Sequence, residues 1–266
     1  MHPILFKIGP LTIHSYGFFM ALGVAAGLGL LYRQARRRGL DANRLIDAAF
    51  YIMIVSLVGA KLILFLGDFS YYASHPKELL WIARSGGVFQ GGLAFGVLFA
   101  LWYFRKYKLP TWKIADVVAP ALALGNGFGR IGCFLAGCCY GRACRLPWAA
   151  NFQDAYAHSL TGVPIHQDLH PVQLYEAVLN FGNALVLYLL LRRNKTDGRV
   201  FSFYVINYAV IRFFTEMFRG DHSASGYLFE GPSAYLSLSV SQGFCLVALA
   251  AGLILLRVFA KRSSRG

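Results

Sequence analysis

The chain has 266 residues, a formal net charge of +14, 57% hydrophobic residues and only 14% charged ones. Its mean hydropathy is +0.50. An ordinary soluble domain carries about 25% charged residues, so soluble-domain, coiled-coil and disordered readings are excluded and a multi-span membrane protein remains. The basic residues fall in short clusters between apolar stretches, which is a topology signal rather than a nucleic-acid surface, and no nucleic-acid partner is expected.

A membrane-spanning helix needs about 20 predominantly apolar residues. Seven stretches are candidates: 13–31, 45–66, 88–104, 114–135, 172–191, 200–218 and 234–259. The expected fold is therefore all-α, a polytopic membrane protein of seven transmembrane helices. The first span follows no small-residue cleavage site and is expected to be retained. Residues 1–266 read as one integral membrane domain, with 136–171 as an outer head segment inserted between spans 4 and 5.

Orientation follows from the basic clusters. Arg33, Arg36, Arg37, Arg38 and Arg44 follow span 1. Arg105, Lys106, Lys108 and Lys113 follow span 3. Arg192, Arg193, Lys195 and Arg199 follow span 5, and Arg257, Lys261, Arg262 and Arg265 end span 7. Alternating spans put all of these on one side. The positive-inside rule then places the N-terminus outside, in the periplasm, and the C-terminus in the cytoplasm. The outward segments 67–87, 136–171 and 219–233 hold most of the His, Gly and aromatic content outside the spans, so the working face is expected to be the outer one.

Ionisable groups inside spans are costly and are functional candidates by default. Arg130 and Arg212 lie five or six residues short of the outer ends of spans 4 and 6, about 8–9 Å deep at ~1.5 Å per residue. Tyr16, Gln90 and Glu176 fall in the same outer layer on three other spans. Tyr208, Arg212 and Glu216 recur every four residues and share one helix face. One reading of Arg212 is an ion pair with Glu216 or Glu176 that joins helices. The favoured reading is an anion between the two arginines, because guanidinium forks match phosphate oxygens and the anion at hand below the headgroups is a phospholipid phosphate.

Two glycine-rich stretches stand out. Residues 125–142 carry six glycines with Arg130 and Arg142, a composition poor for an isolated helix but suited to close backbone approach. Residues 86–92 read as a backbone bend with Gln90 between glycine pairs. Cys138, Cys139 and Cys144 fall on the outer side, where disulfides persist, and a bond from Cys144 to Cys138 or Cys139 is expected. A zinc site is the lesser option, since Cys133, Cys138, Cys139 and Cys144 lack CxxC spacing.

The chain resembles the prolipoprotein diacylglyceryl transferase family. The motifs are Ile13-His14-Ser15-Tyr16-Gly17, the Gly86–Gly92 stretch, Gly129–Arg142, His170-Pro171-Val172-Gln173-Leu174-Tyr175-Glu176, and Tyr208, Arg212, Glu216 and Arg219 at their spacing. They occur in family order and span nearly the whole chain. The resemblance implies seven spans with an outside N-terminus, in the bacterial cytoplasmic (inner) membrane. It implies transfer of the diacylglyceryl group of phosphatidylglycerol to the lipobox cysteine thiol of a prolipoprotein, forming a thioether and releasing glycerol phosphate. No metal or organic cofactor is expected. The functional positions then fall on Tyr16, Arg130, Gly141, Arg212 and Glu216, with Tyr208 beside them. Tyr16, Arg130 and Arg212 are the catalytic candidates; Arg130, Arg212, Tyr208, Glu216, Gly141 and Gln90 are the substrate-binding ones.

The sequence departs from the family in two places. The family often has a histidine where this chain has Gln90, which takes no proton at neutral pH. It often has Asn and Glu where this chain has Cys133 and Cys138. Gln90 is expected to orient the headgroup or the thiol by hydrogen bonds. Two other functions compete: an acyltransferase using Cys138 or Cys139 as its own nucleophile, with His158, His166 or His170 as base, and a phospholipid transporter. A transporter would favour inverted repeats, and no internal symmetry is visible.

Overall fold

A computed structural model of the chain describes residues 2–9, 11–75, 87–221, 226–229 and 237–263. The protein is mostly helical. In chain order the helices are α1 (Ser15–Arg37), α2 (Ala42–Gly67), α3 (Phe69–Ser74), α4 (Phe89–Lys106), α5 (Thr111–Ala136), α6 (Ala155–Thr161), α7 (Val172–Arg193), α8 (Arg199–Glu216) and α9 (Val240–Ser263). The fold is not purely helical, because among the described residues three antiparallel strand pairs accompany them. They are β1 (Ile4–Ile8) with β2 (Leu11–His14), β3 (Ala150–Asn151) with β4 (Asp168–Leu169), and β5 (Tyr227–Phe229) with β6 (Leu238–Ser239).

Among the described residues five helices, α1, α2, α5, α7 and α9, are long and apolar enough to cross a membrane, and the protein is an integral membrane protein. Helices α4 and α8 occupy two further expected spans but are only 18 residues long. Arg105 and Lys106 end α4, and α8 holds Arg199, Arg212 and Glu216. Two expected boundaries change. Residues 13–14 belong to β2, so the first helix begins at Ser15, where Ser15 Oγ donates to the His2 carbonyl. The last helix begins at Val240 instead of 234, because Leu238 and Ser239 pair with β5. Residues 234–236, Gly86 and much of the expected loops 67–87 and 219–233 lie outside the described residues.

The chain divides into two compact units, Met1–Leu30 with Ala115–Gly266, and Leu31–Ile114. In the first, α1 lies close against α5. A Cβ on Gly23 would come within 2.9 Å of Phe128 Cβ and 3.0 Å of the Gly125 carbonyl, so the glycine permits the approach. Helices α7 and α8 are joined by a hydrogen bond from Asn207 Nδ2 to Asn183 Oδ1 of 2.8 Å. Buried Asp116, on α5, accepts from the Gly198 and Phe201 amides at 2.8 and 2.7 Å. It thereby satisfies amides that the start of α8 leaves without helical partners. After α5 the chain folds over its end: Asp154 caps α6 through the Ala157 amide, and Phe152, Ala157, Val163 and Leu169 form a buried cluster with Phe134 and Tyr140 packed on it.

The second unit is built on α2 and α4. Asp41 caps α2 through the Arg44 amide. The Val88 amide donates to the Ala60 carbonyl at 3.1 Å, and Gly91, Gly92 and Gly96 lie against Ile63 and Ser56 of α2. The glycines of the expected bend therefore serve helix packing. Gln90 stands in the first turn of α4 with an exposed side chain.

Candidate active site

Three helices of the first unit bring their charged residues together. Arg130, near the end of α5, places Nε 2.5 Å from Glu176 Oε2. Glu176, in the second turn of α7, takes Arg212 Nη1 on its other oxygen at 2.8 Å. Arg212 reaches along α8 to Glu216 with Nη2, at 2.5 Å. Arg219, just past that helix, lies 3.7 Å from Glu216 and 2.7 Å from Asp221. The result is a chain of alternating sign: Arg130, Glu176, Arg212, Glu216, Arg219, Asp221. Glu176 and Glu216 are only 2% and 1% exposed, and buried carboxylates of this kind stay charged only when paired.

Local structure helps each charge. Glu176 sits near the amino end of α7, where the helix dipole favours an anion. Arg219 lies past the carboxyl end of α8, where the dipole favours a cation. Thr215 Oγ1 donates to Glu176 at 3.0 Å, and Ser239 Oγ of β6 donates to Glu216 at 3.4 Å. Burial works against the Arg219 charge, but two hydrogen bonds from its guanidinium to the Asp221 carboxylate prevail and raise its pKa.

The two central arginines differ in what remains available. Arg212 commits both terminal nitrogens to carboxylates, as the ion-pair reading required. Arg130 uses only Nε; among the described residues its two Nη atoms have no partner. A flat pair of N–H donors beside a neutralised chain of charges is suited to an anion with two oxygens to offer. Tyr208 stacks on Tyr204, with centroids 6.1 Å apart, and shares the electrostatic neighbourhood of Arg212, Arg130 and Glu176. Tyr16, 43% exposed at the start of α1, lies where Gly132 of α5 approaches it: a Cβ there would come within 3.3 Å of its backbone.

The segment after α5 is held between two others. Gly141 bridges to Arg219. The Arg142 amide donates to the Phe218 carbonyl, the His170 amide to the Arg142 carbonyl, and the Gly220 amide to the Tyr140 carbonyl, all at 2.8–2.9 Å. A Cβ on Gly141 would fall 2.2 Å from the His170 carbonyl oxygen. Gly141 thus stands at a backbone crossing with no room for a side chain.

The chain matches the sequence profile of the family described as prolipoprotein diacylglyceryl transferase over residues 3–258. It belongs to the prolipoprotein diacylglyceryl transferase family. It is similar to curated proteins named phosphatidylglycerol–prolipoprotein diacylglyceryl transferase. The Clostridium tetani protein is 36% identical over 83% of this chain and 86% of its own length. The Geobacter sulfurreducens protein is 37% identical over 86% of each. The Bordetella avium protein is 34% identical over 99% of this chain and 96% of its own.

Within this diacylglyceryl transferase family member, the structure gathers Arg130, Glu176, Arg212 and Glu216 into one network, with Tyr16, Tyr208 and Gly141 in the same unit. Gln90 belongs to the other unit. Thr215, Asp221 and Ser239 were not anticipated. Only Asp221 left a sequence signal, an acidic residue two places after Arg219. The expected disulfide is overturned. All five cysteines are free thiols. The Cys133, Cys138 and Cys139 sulfurs gather within 4.8 Å of one another, a group that does not include Cys144. The Cys144 amide is instead bonded to the Asp168 carbonyl. The neighbouring Cys133 and Cys138 sulfurs, with Arg219 and Arg130 nearby, hold Cys139 below the usual thiol range, while the Cys133 and Cys139 sulfurs push Cys138 above it.

Proposed function

We propose that this chain transfers the diacylglyceryl group of phosphatidylglycerol to the lipobox cysteine of a prolipoprotein signal peptide, the first step of lipoprotein maturation. The observation that carries this reading is Arg130, fixed by buried Glu176 through Nε while both Nη atoms remain available for a phosphate. In the reaction the cysteine sulfur attacks the glycerol carbon that bears the phosphate. The S–C bond forms as the C–O bond breaks, and the electron pair leaves on glycerol phosphate. The thiol proton leaves to solvent or the phosphate. Negative charge therefore moves from sulfur to the leaving oxygen, and a preorganised cation there lowers the barrier more than it tightens ground-state binding.

In this reading Arg130 receives the phosphate. Arg212, with both terminal nitrogens on carboxylates, holds Glu176 and Glu216 in place and adds its charge at longer range. Tyr16, Tyr208 and Gly141 belong to the substrate-binding surroundings. The setting is the bacterial inner membrane, with α4 and α8 completing seven spans and 136–171 as a periplasmic head. The N-terminus is periplasmic and the C-terminus cytoplasmic.

The test is transfer of labelled phosphatidylglycerol to a lipobox peptide by purified protein in detergent. Arg130→Ala is expected to lower the rate about 10²–10³-fold, the usual cost of losing such a donor. Arg130→Lys should rescue poorly, because an ammonium cannot present a fork. A well-folded Arg130→Ala protein with near-normal transfer would overturn the phosphate reading. A labelled acyl-enzyme on Cys138 or Cys139 would favour the acyltransferase, and lipid movement without product the transporter.

A further inference from the structure

Cys133 lies in the last turn of α5, and Cys138 and Cys139 follow the helix end. Sequence spacing alone does not bring three sulfurs together; two backbone reversals do. Gly137 is left-handed at φ 84, and Cys139 is left-handed at φ 57. Glycine takes that conformation freely, whereas a cysteine there costs about 1–3 kcal/mol unless its surroundings impose it. The loop is pinned from α7, where fully buried Gln173 donates to the Cys138 carbonyl at 2.8 Å. The Cys138 thiol also points back to the Cys133 carbonyl, at 3.7 Å.

Three sulfurs within 4.8 Å of one another approach the edge of a thiolate tetrahedron, about 3.8 Å for metal–sulfur bonds of about 2.3 Å. A disulfide would use two of them and leave the third without a role. Three sulfurs that ligate as thiolates would also need positive charge. Arg130 and Arg219 are near but are held by carboxylates, so they offset that charge only in part. Protein zinc sites with three ligands keep the fourth position for a reacting molecule. Arg130 and Cys133 are three residues apart on one helix and share a face. A sulfur bound at the fourth position would therefore arrive beside the proposed phosphate site.

We propose that Cys133, Cys138 and Cys139 hold a thiophilic divalent ion of the zinc class, whose fourth coordination position takes the substrate thiol. The second half of this proposal rests on the transferase reading; the metal site does not. A thiol bound to such an ion gives up its proton outright, here to water, and no side-chain base is then required. The metal-held sulfur supplies the electron pair for the new S–C bond, and the C–O pair departs with the phosphate. Gln90, which takes no proton at neutral pH, is then no handicap.

The probe is Co2+, added to reduced protein in detergent under anaerobic conditions. One ion per chain is expected, with thiolate-to-cobalt charge-transfer bands and tetrahedral d–d bands. Cys133→Ser and Cys139→Ser should each weaken uptake at least roughly 10-fold, and Cys144→Ser should leave it unchanged. If a variant fails to fold, thiol counting on the unmodified protein decides: Zn2+ should shield three cysteines from alkylation, with Cys144 still reactive. A lipobox peptide with a free thiol should shift the cobalt bands, and its serine analogue should not. Absence of cobalt uptake with the three thiols reduced, or a disulfide among them in protein isolated without reductant, would overturn the site. Full transfer by metal-stripped protein would overturn its role in thiol activation and leave the transferase standing. Metal uptake with no transfer by the loaded protein would overturn the transferase reading and leave the site.

Discussion

Helices α5, α7 and α8 of the first unit and α2 of the second are built on opposite rules. The most apolar 18-residue windows of α5 and α7 are 44% and 39% buried, against 6% for α2. The buried faces of α7 and α8 hold Glu176, Asn180, Asn183, Ser202, Thr215 and Glu216. Helix α2 instead exposes Leu57, Val58, Ile54 and Leu66 and is joined to α4 through glycines. In a membrane the apolar surface needs no protein partner, because lipid is as good a solvent for leucine as another leucine is. Protein contact is therefore reserved for polar groups. Burial in this molecule marks the polar network of the candidate site, and exposure marks where lipid is expected.

That contrast can be broken most severely at Glu176. Glu176→Gln leaves Arg130 and Arg212 facing each other with no charge between them. Breaking such a pair costs about 3–5 kcal/mol, so both thermal stability in detergent and transfer should collapse. A variant with unchanged melting and activity would mean that the alternating charges are decorative. Gly141→Ala comes next. Its methyl group would meet a carbonyl oxygen at 2.2 Å, and overpacking typically costs about 1–3 kcal/mol; reduced yield of folded protein and slower transfer are expected together.

A smaller effect comes from His170, whose pKa burial lowers below the ordinary histidine value. The folded state resists the proton that the unfolded state takes at about 6.5. Its contribution is thus complete above that pH and lost as pH falls through the lower folded value. Melting temperatures measured from pH 7.5 to 5 should fall toward the acid end, and His170→Gln should flatten that slope. The smallest effect belongs to α2. Leu57 is 68% exposed, and Leu57→Ala should change stability within about 0.5 kcal/mol. A large loss there would show that this face meets protein.

The long helices were legible because hydropathy over some 20 residues reports on the solvent around a helix. The apolar pattern is weakest at α4 and α8, which nonetheless lie where spans were expected, and in α8 the charges that interrupt it belong to the candidate site. Arg130, Arg212 and Glu176 announced themselves by the cost of placing charge at that depth. Their pairing did not, because sequence fixes depth along each helix and not the rotation that turns Glu176 toward both arginines. The cysteines were misread for a related reason. Counting residues from Cys133 to Cys144 takes no account of the left-handed Gly137 and Cys139, which fold the first three sulfurs together and leave Cys144 on its way to Asp168. Asp116 accepts from two backbone amides, Gly198 and Phe201, and such partners carry no sequence signature.

Those amides have a consequence for biosynthesis. Asp116 and Gly198 are 82 residues apart, and Arg130 likewise waits for Glu176 on a helix made later. As the ribosome delivers the chain from its N-terminus, α5 is complete while the partners of Asp116 and Arg130 are still unmade. An unpaired charge in a lone inserted helix is costly, up to roughly 2.5–3.5 kcal/mol at the helix centre and less toward its ends, where Asp116 and Arg130 lie. Helix α5 therefore has reason to linger at the translocon, shielded by water and protein, until α7 and α8 arrive to receive it.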